Sequence, residues 1–459
     1  MVASTPFDSP DLVFKWISGF SNLESGKSFR RFSLDCTTVL ADLAGSPEKC
    51  APSIHVAGSK GKGSVTGMIA AILEASGIRT SRYQSPHVID FRERISMGTG
   101  FFDDAIYINA GNELKYLFEK YELLQKNKSI VRPGNDMEEP TFFELMTLWF
   151  FLCSRLARVD AMVVETGMGG RLDATNILSP LVSVITLIEL EHTEYLGNTI
   201  SAIAGEKAGI IKNGRPLILA EQSAEALEVF RKSTVQKNSP LFYFPDMADV
   251  KDLSVNKDGT TFSLYLGDNA LNELFIPIPG KVQAQNASLA VLAAKMAFPQ
   301  ITEQHIRKGL AGFSLPARFE RISNVPLIII DGSHTPHSID LCLETFTSLY
   351  GKDGILIFGC AADKDILSMA KLCIRKFSRI IIAKPGSFKK SYPEEIYSIF
   401  TGEAKKLSKA PEILYIPEAR NALDKSIELA LKYNVPVLGT GSFYLSGEIR
   451  NLYQTFIKK

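Results

Sequence analysis

Short apolar runs rich in Val and Ile alternate with stretches of helical period along most of this chain, and no other feature limits its fold as strongly. Strands that return through helices build βαβ units, so the pattern predicts an α/β protein with a largely parallel sheet. Strands are expected at Ser53–Ala57, Ala161–Glu165, Val182–Ile188 and Pro216–Ala220. Helices are expected at Lys62–Ala75, Asp104–Gln125, Thr141–Ala157, Ser201–Ile211 and Ala224–Val235. Residues Lys251–Pro279 break the rhythm: Thr260–Leu266 and Leu274–Ile278 read as antiparallel strands, an elaboration at the sheet edge. A helix over Gln283–Ala297 then leads to Ile301–Gly312.

From Pro326 the rhythm restarts with Leu327–Ile330, Gly354–Phe358, Arg379–Lys384, Glu412–Ile416 and Pro436–Leu438, each followed by a helical stretch. That predicts a second, smaller Rossmann-like α/β unit. A chain of 459 residues holds roughly two to four domains at ~100–200 residues each. The expected division is 1–313 for the first, 314–324 as a linker around Pro316, and 325–459 for the second. Ligands of open α/β sheets sit beyond the carboxyl ends of the strands, so the residues directly after these strands are where chemistry belongs.

Lys plus Arg number 51 against 50 for Asp plus Glu, so no global charge draws the chain to nucleic acid or to an anionic membrane. Six scattered cysteines with no CxxC pair indicate neither a disulfide framework nor a zinc site. Met1–Phe20 lacks a basic start followed by an apolar stretch, and no apolar run approaches the ~20 residues that span a bilayer. A cytoplasmic protein with no membrane and no nucleic-acid partner is expected.

Beyond the first strand the chain reads His55-Val-Ala-Gly58-Ser59-Lys60-Gly61-Lys62-Gly63-Ser64 and enters a helix. Such a turn gathers backbone N–H groups and the positive helix end around an anion, a lysine adds a point charge, and a hydroxyl can reach Mg²⁺. The requirements of a nucleoside triphosphate are met, although Gly63 between Lys62 and Ser64 departs from the usual G-x-x-x-x-G-K-[ST] spacing. Glu165 closes an apolar strand, where a carboxylate can face a cleft.

This variant loop resembles that of the Mur ligase superfamily and, within it, the folylpolyglutamate synthase and dihydrofolate synthase branch. Further strings keep the resemblance in order through nearly the whole chain. They are Ser85-Pro86-His87 with Phe91–Ile95, Thr141–Glu144, Glu165–Asn176, His192–Gly197, Glu206–Ile210, Gln285–Ala287, Pro316–Glu320 and Asp331–His334. Each string alone is weak; their joint order and spacing are specific.

The resemblance implies an ATP-dependent ligase that joins L-glutamate to a folate carboxylate through an acyl phosphate, with dihydropteroate as a second acceptor. It implies that Gly61, Lys62, Gly63, Ser64, Asn286, Arg318 and Asp331 bind ATP. Ser64, Ser85, Glu165, His192 and a CO₂-carboxylated Lys207 would hold Mg²⁺; Lys62, Lys207, His192 and Glu165 are the expected catalytic set. A lysine ammonium has donors only, so Lys207 could ligate only as a carbamate. The folate side falls to Thr141, Phe142, Phe143, Glu144, Leu172, Asp173 and Ala174. A monomer is expected.

Three departures stand out. Ser59-Lys60 replaces the Thr-Asn of many bacterial relatives, Glu191 replaces an Asp before His192, and Ser333 and Thr335 replace Ala and Asn. The alternatives left open are a monofunctional dihydrofolate synthase, a muramyl-peptide ligase, and a nucleotide-binding regulator without catalysis. The plain readings of single residues also stay open: His55 and His337 as structural histidines, and Phe142 and Phe143 as core.

Overall fold

The computed structural model describes residues 5–22, 33–126, 139–386 and 389–457. A seven-stranded sheet forms the larger lobe, from β1 (Ser53–Ala57), β2 (Thr80–Tyr83), β3 (Ile95–Met97), β4 (Ala161–Glu165), β5 (Val182–Ile185), β6 (Leu217–Leu219) and β7 (Leu241–Tyr243). Its order is β3-β2-β4-β1-β5-β6-β7, parallel throughout except for β3, which pairs antiparallel with β2. The chain leaves β1 towards β2 on one side while β5 to β7 extend on the other. The reversal falls at the carboxyl end of β1, where an open α/β sheet forms its crevice.

The helix α1 (Lys62–Ala75) runs back from that end, and every residue from Ser64 to Leu73 is buried. Enclosure on all sides explains why Val65-Thr-Gly-Met-Ile-Ala-Ala-Ile72 shows no polar stripe. The sheet covers one side of α1; α2 (Lys281–Ala297) and α3 (Glu303–Ala311) cover the other. A second large cluster lies on the opposite face, around Trp149, Phe150 and Phe151 of the helix Phe142–Ala157.

Thr260–Leu266 and Leu274–Ile278 are indeed antiparallel, but they do not extend the main sheet. With a third strand they form a separate sheet of β8 (Ala248–Asn256), β9 (Gly259–Leu266) and β10 (Asn269–Ile276). Its buried Phe262, Leu264, Leu274 and Ile276 join the same core as α2, so its apolar face is spent on helices.

The smaller lobe holds β11 (Glu320–Asn324), β12 (Leu327–Ile330), β13 (Ile355–Phe358), β14 (Arg379–Ile382), β15 (Glu412–Tyr415) and β16 (Val437–Thr440), in the order β11-β12-β16-β13-β14-β15. All neighbours are parallel except β11 with β12. The expected linker 314–324 is therefore corrected at its end: Glu320–Asn324 is an edge strand of the second sheet. Its polar alternation, with only Ser323 buried, hid it from a search for apolar runs. Among the described residues no helix is long and apolar enough to cross a membrane, and all six cysteines are free.

The seam between α3 and α1 is tight at Gly309, where an added Cβ would lie 2.6 Å from the Ile72 Cα and 2.7 Å from its nitrogen. Backbone cannot yield as a side-chain tip can. Gly309→Ala should push α3 off α1 and lower stability by about 1–3 kcal/mol, read as a lower urea midpoint at unchanged slope. An unchanged midpoint would contradict the packing described.

Candidate active site

Two glycines shape the turn after β1. Gly58 has φ 144°, and a Cβ there would meet the Thr186 Oγ1 at 1.8 Å; Gly61 has φ 86°, and its Cβ would meet the Asn286 Oδ1 at 2.5 Å. The loop thus lies flat against β5 and α2. The Leu187 carbonyl accepts from the Ser59 and Lys60 amides at 2.9 and 3.3 Å. Lys62, Gly63 and Ser64 form the first turn of α1, whose N–H groups have no partner within the helix.

The Lys62 ammonium folds back to the Gly58 carbonyl at 2.9 Å. The Lys207 ammonium donates to the same oxygen at 2.9 Å and to the Glu191 Oε1 at 2.8 Å. Lys207 closes the helix Ile200–Lys207 and is 1% exposed. Burial, with Lys62 adding to it, lowers its pKa to about 8 against the pull of Glu191. Burial alone would raise Glu191, but Lys62, Lys207 and His192 outweigh it and hold that carboxyl down to about 2. Adjacent His192 stands at φ 47° and is an exposed residue. Partial desolvation there, and the nearby lysines, favour its neutral form over the opposing effect of Glu191.

Glu165 lies on the other side of Lys62, at the end of β4. Its Oε2 accepts the Ser85 amide at 3.4 Å and lies 3.5 Å from where a Gly63 Cβ would stand. Burial raises its pKa to about 7, although Lys62 and Arg318 pull it down. Glu165, Gly63, Ser85, Gln84, Glu93, Arg318 and Phe443 line one cavity between the lobes. Glu93 shapes the wall, its carboxylate accepting the amides of Val88, Ile89 and Asp90 at 2.6, 3.2 and 3.1 Å. Gln84 is 7% exposed and its Oε1 has no partner among the described residues.

Glu165, Ser85 and Gln84 bring hard oxygen donors to the cavity wall, and Ser64 follows the cavity-lining Gly63 in the first turn of α1. One carboxylate with hydroxyls, completed by water and phosphate oxygens, suits Mg²⁺, so this group fits the ion. No three His, Cys, Asp or Glu side chains among the described residues form a metal cluster by themselves. Lys207 and His192 lie on the Glu191 side of Lys62.

Asn286 abuts Gly61 and donates to Gln283 at 3.3 Å. Asp331, just past β12, accepts the Phe319 and Ser333 amides at 2.8 and 2.9 Å, which ties the start of the small lobe to Arg318. The folate-side candidates do not line the cavity. Thr141 and Glu144 form a capping box, and Glu144 also accepts from Thr37. Phe142 is 2% exposed beneath the Arg94 guanidinium. Phe143 is half-buried with its ring against Gly167. Leu172 is exposed, while Ala174 is buried. Asp173 is buried and accepts from the Met168 amide and from Thr175. Since the Thr175 hydroxyl donates to Asp173, the His55 Nε2 donates to Thr175, at 2.8 Å. Burial and Lys212 keep His55 neutral, with a pKa pushed down to about 3, and its role is to brace this loop.

Mur ligase family models match residues 115–294 (Mur ligase middle domain) and 317–443 (Mur ligase, glutamate ligase domain). Folylpolyglutamate synthase of Lacticaseibacillus casei is 31% identical over 95% of this chain and 96% of its own. The chain belongs to the folylpolyglutamate synthase/dihydrofolate synthase family. The dihydrofolate synthase/folylpolyglutamate synthase of Bacillus subtilis is 31% identical over 88% of this chain and 91% of its own. The solved Mycobacterium tuberculosis folylpolyglutamate synthase complexed with ADP is similar at a TM-score of 0.86 and 27% identity, over 97% of this chain and 99% of that one. Family membership also accounts for the two lobes as Mur ligase middle and C-terminal domains.

Sequence reading missed Gln84 and Phe443 in the cavity wall, and treated Glu191 only as a longer Asp. An apolar or amide side chain after a strand carries no chemical signature of its own; only the fold turns it inward. Glu165 gives a check on the cavity. Its pKa rises from 4.5 unfolded to about 7 folded. An acid raised on folding resists ionising, so its contribution is intact below about pH 4.5 and turns unfavourable as pH rises to about 7. Without ligands, Glu165→Gln should therefore be more stable than the parent at pH 8, on the order of 1–3 kcal/mol, and equal to it at pH 4. Thermal melts across that range test this; a parallel pH dependence would contradict it.

Proposed function

We propose that the protein is an ATP-dependent ligase that adds L-glutamate to the carboxylate of tetrahydrofolate, with dihydropteroate as a second acceptor. The observation that carries this reading is the cluster around Lys62: a phosphate-type helix terminus with Glu165, Arg318, Lys207, Glu191 and His192 arranged about it. The relatives from Bacillus subtilis and Mycobacterium tuberculosis are named for both activities, which supports two acceptors. Six free cysteines suit the reducing cytoplasm, where we place it as a monomer.

An amine cannot displace oxide from a carboxylate, so the acid must be activated. The acceptor carboxylate oxygen attacks the γ-phosphorus of ATP, the bond to the β-bridging oxygen breaks, and ADP leaves. The glutamate nitrogen then attacks the acyl carbon, loses a proton, and phosphate departs with the C–O bond. The α1 N–H groups and Lys62 bind the phosphates, and Arg318 faces them from the small lobe. Once an anion arrives, Lys62 has a stronger partner than the Gly58 carbonyl. Glu165, Ser64 and Ser85 would hold Mg²⁺, which would supply charge neutralisation on the phosphoryl oxygens. Closing the cleft excludes water, which would otherwise hydrolyse the acyl phosphate.

Lys207 is proposed to be carboxylated. CO₂ adds only to a neutral amine, and the lowered pKa of Lys207 favours that form. The carbamate and Glu191 would repel, so carboxylation requires Lys207 to leave its ion pair with Glu191.

The deciding experiment offers the purified protein ATP, Mg²⁺ and glutamate with tetrahydrofolate or dihydropteroate and reads product masses. Growth of either acceptor by one glutamate residue, with matching ADP, is expected; ADP release independent of glutamate would overturn the ligase reading. Lys207→Ala should lose at least ~100-fold in kcat, partly restored by a short-chain carboxylic acid. The parent labelled with ¹³C-bicarbonate should give a carbamate signal that Lys207→Ala lacks. Full activity in Lys207→Ala would end that assignment.

A further inference from the structure

Arg318 is held in an unusual way. Its neighbours Ala317 and Phe319 both lie in the left-handed region, at φ 52° and 45°, a conformation non-glycine residues adopt only when their surroundings impose it. Here the surroundings are hydrogen bonds to the small lobe. The Ala317 amide donates to the Glu320 Oε2 at 2.9 Å, and the other oxygen of Glu320 accepts from Arg450 at 2.7 Å. The Phe319 amide donates to Asp331, and the Ala317 carbonyl accepts the Gly332 amide at 2.8 Å. The backbone on both sides of Arg318 is therefore pinned to the small lobe.

Its side chain is not pinned by hydrogen bonds. A guanidinium carries five N–H donors, and the one hydrogen bond it makes among the described residues is a long 3.3 Å contact to the Ala317 carbonyl. What holds it is the ring of Phe443, whose centroid lies 4.2 Å from the guanidinium carbon. Phe443 opens the last helix, Phe443–Ile457. Its ring is seated in turn against Gly332, where a Cβ would stand 2.0 Å from Cε1, and 5.5 Å from the His334 ring. Arg318 and Phe443 both line the cavity that contains Gly63 and Glu165.

We propose that Phe443 is a positioning residue for the ligase reaction: its ring is the platform that aims the Arg318 guanidinium at phosphoryl oxygens bound beside Gly63. This rests on the ligase reading above. A carboxylate partner would neutralise the arginine and take up two of its donors. An aromatic face attracts the cation through its quadrupole and takes no N–H in the guanidinium plane. The arginine is thereby fixed in orientation with charge and donors unspent, which suits a group meant for a transient anion. Gly332 is part of the same device, since only a residue without a side chain lets the ring lie where it does.

The test compares Phe443→Leu, Phe443→Tyr, Arg318→Ala and the double variant Phe443→Leu/Arg318→Ala. Each is measured for glutamate-dependent ADP release and, by calorimetry, for affinity towards ATP and adenosine. Phe443→Leu should lower kcat/KM for ATP and ATP affinity by about 10-fold, leave adenosine affinity and the KM for glutamate within about two-fold, and keep a cooperative melt. Phe443→Tyr retains the face and should behave as the parent. Arg318→Ala should lose more, and adding Phe443→Leu to it should cost nothing further, because the ring then has no cation to aim.

Gly332→Ala, which leaves both side chains in place but displaces the ring, should reproduce the Phe443→Leu loss and serves if that variant fails to fold. Parent-like ATP affinity in Phe443→Leu, or a full additional loss in the double variant, would overturn the proposal. Should the parent show no glutamate-dependent turnover, the ligase reading fails by itself, while the contrast between ATP and adenosine binding still decides the role of Phe443.

Discussion

Two lysine ammonium groups share one backbone carbonyl, that of Gly58, at the glycine-rich turn after β1 that we propose binds phosphate. Like charges so close in a buried place are costly unless an anion offsets them. Glu191 supplies part of that offset through Lys207. The cluster is thus arranged around an anion yet to come, and the rest of the site follows from it. Glu165 is kept apart, desolvated, on the far side of Lys62. Arg318 faces it from across the cleft, without a carboxylate partner within hydrogen-bonding distance among the described residues. Positive charge held in reserve is what phosphoryl transfer asks of a protein that contributes little covalent chemistry of its own.

Much of this was legible in the residues because the sheet is buried. Runs such as Ala161–Glu165 and Ser53–Ala57 have both faces covered, so they stand out as continuous apolar segments, and their bounds match the structure. Strands with an open face were harder. Glu320–Asn324 alternates without an apolar run, and Ala248–Asn256 is largely exposed, so neither stood out from a loop. The break at Lys251–Pro279 was visible as a change of rhythm. That it makes a sheet of its own depends on its packing against α2 and α3, the helices that follow it, a tertiary choice that no local pattern encodes.

The site divides along a similar line. Lys62 and Ser64 stand out because they sit in a glycine-rich turn between an apolar strand and a helix, and Glu165 because it closes an apolar strand within a string shared with the family. Thr141 and Glu144 show the reverse case. A threonine followed three residues later by a glutamate before an apolar stretch is also the signature of a helix start, and here the capping box is formed. Phe443 could not be found from sequence at all. Its significance lies in the orientation of another side chain, set by a glycine 111 positions away.

The enclosure of α1 carries a broader consequence. A helix sealed between the sheet, α2 and α3 has little room to adjust, so the turn at its head is a rigid frame for the nucleotide we propose it binds. Accommodation of different acids must then come from surfaces elsewhere in the cleft. Acceptor preference can drift over evolutionary time on those surfaces while the energy-coupling half of the molecule stays fixed.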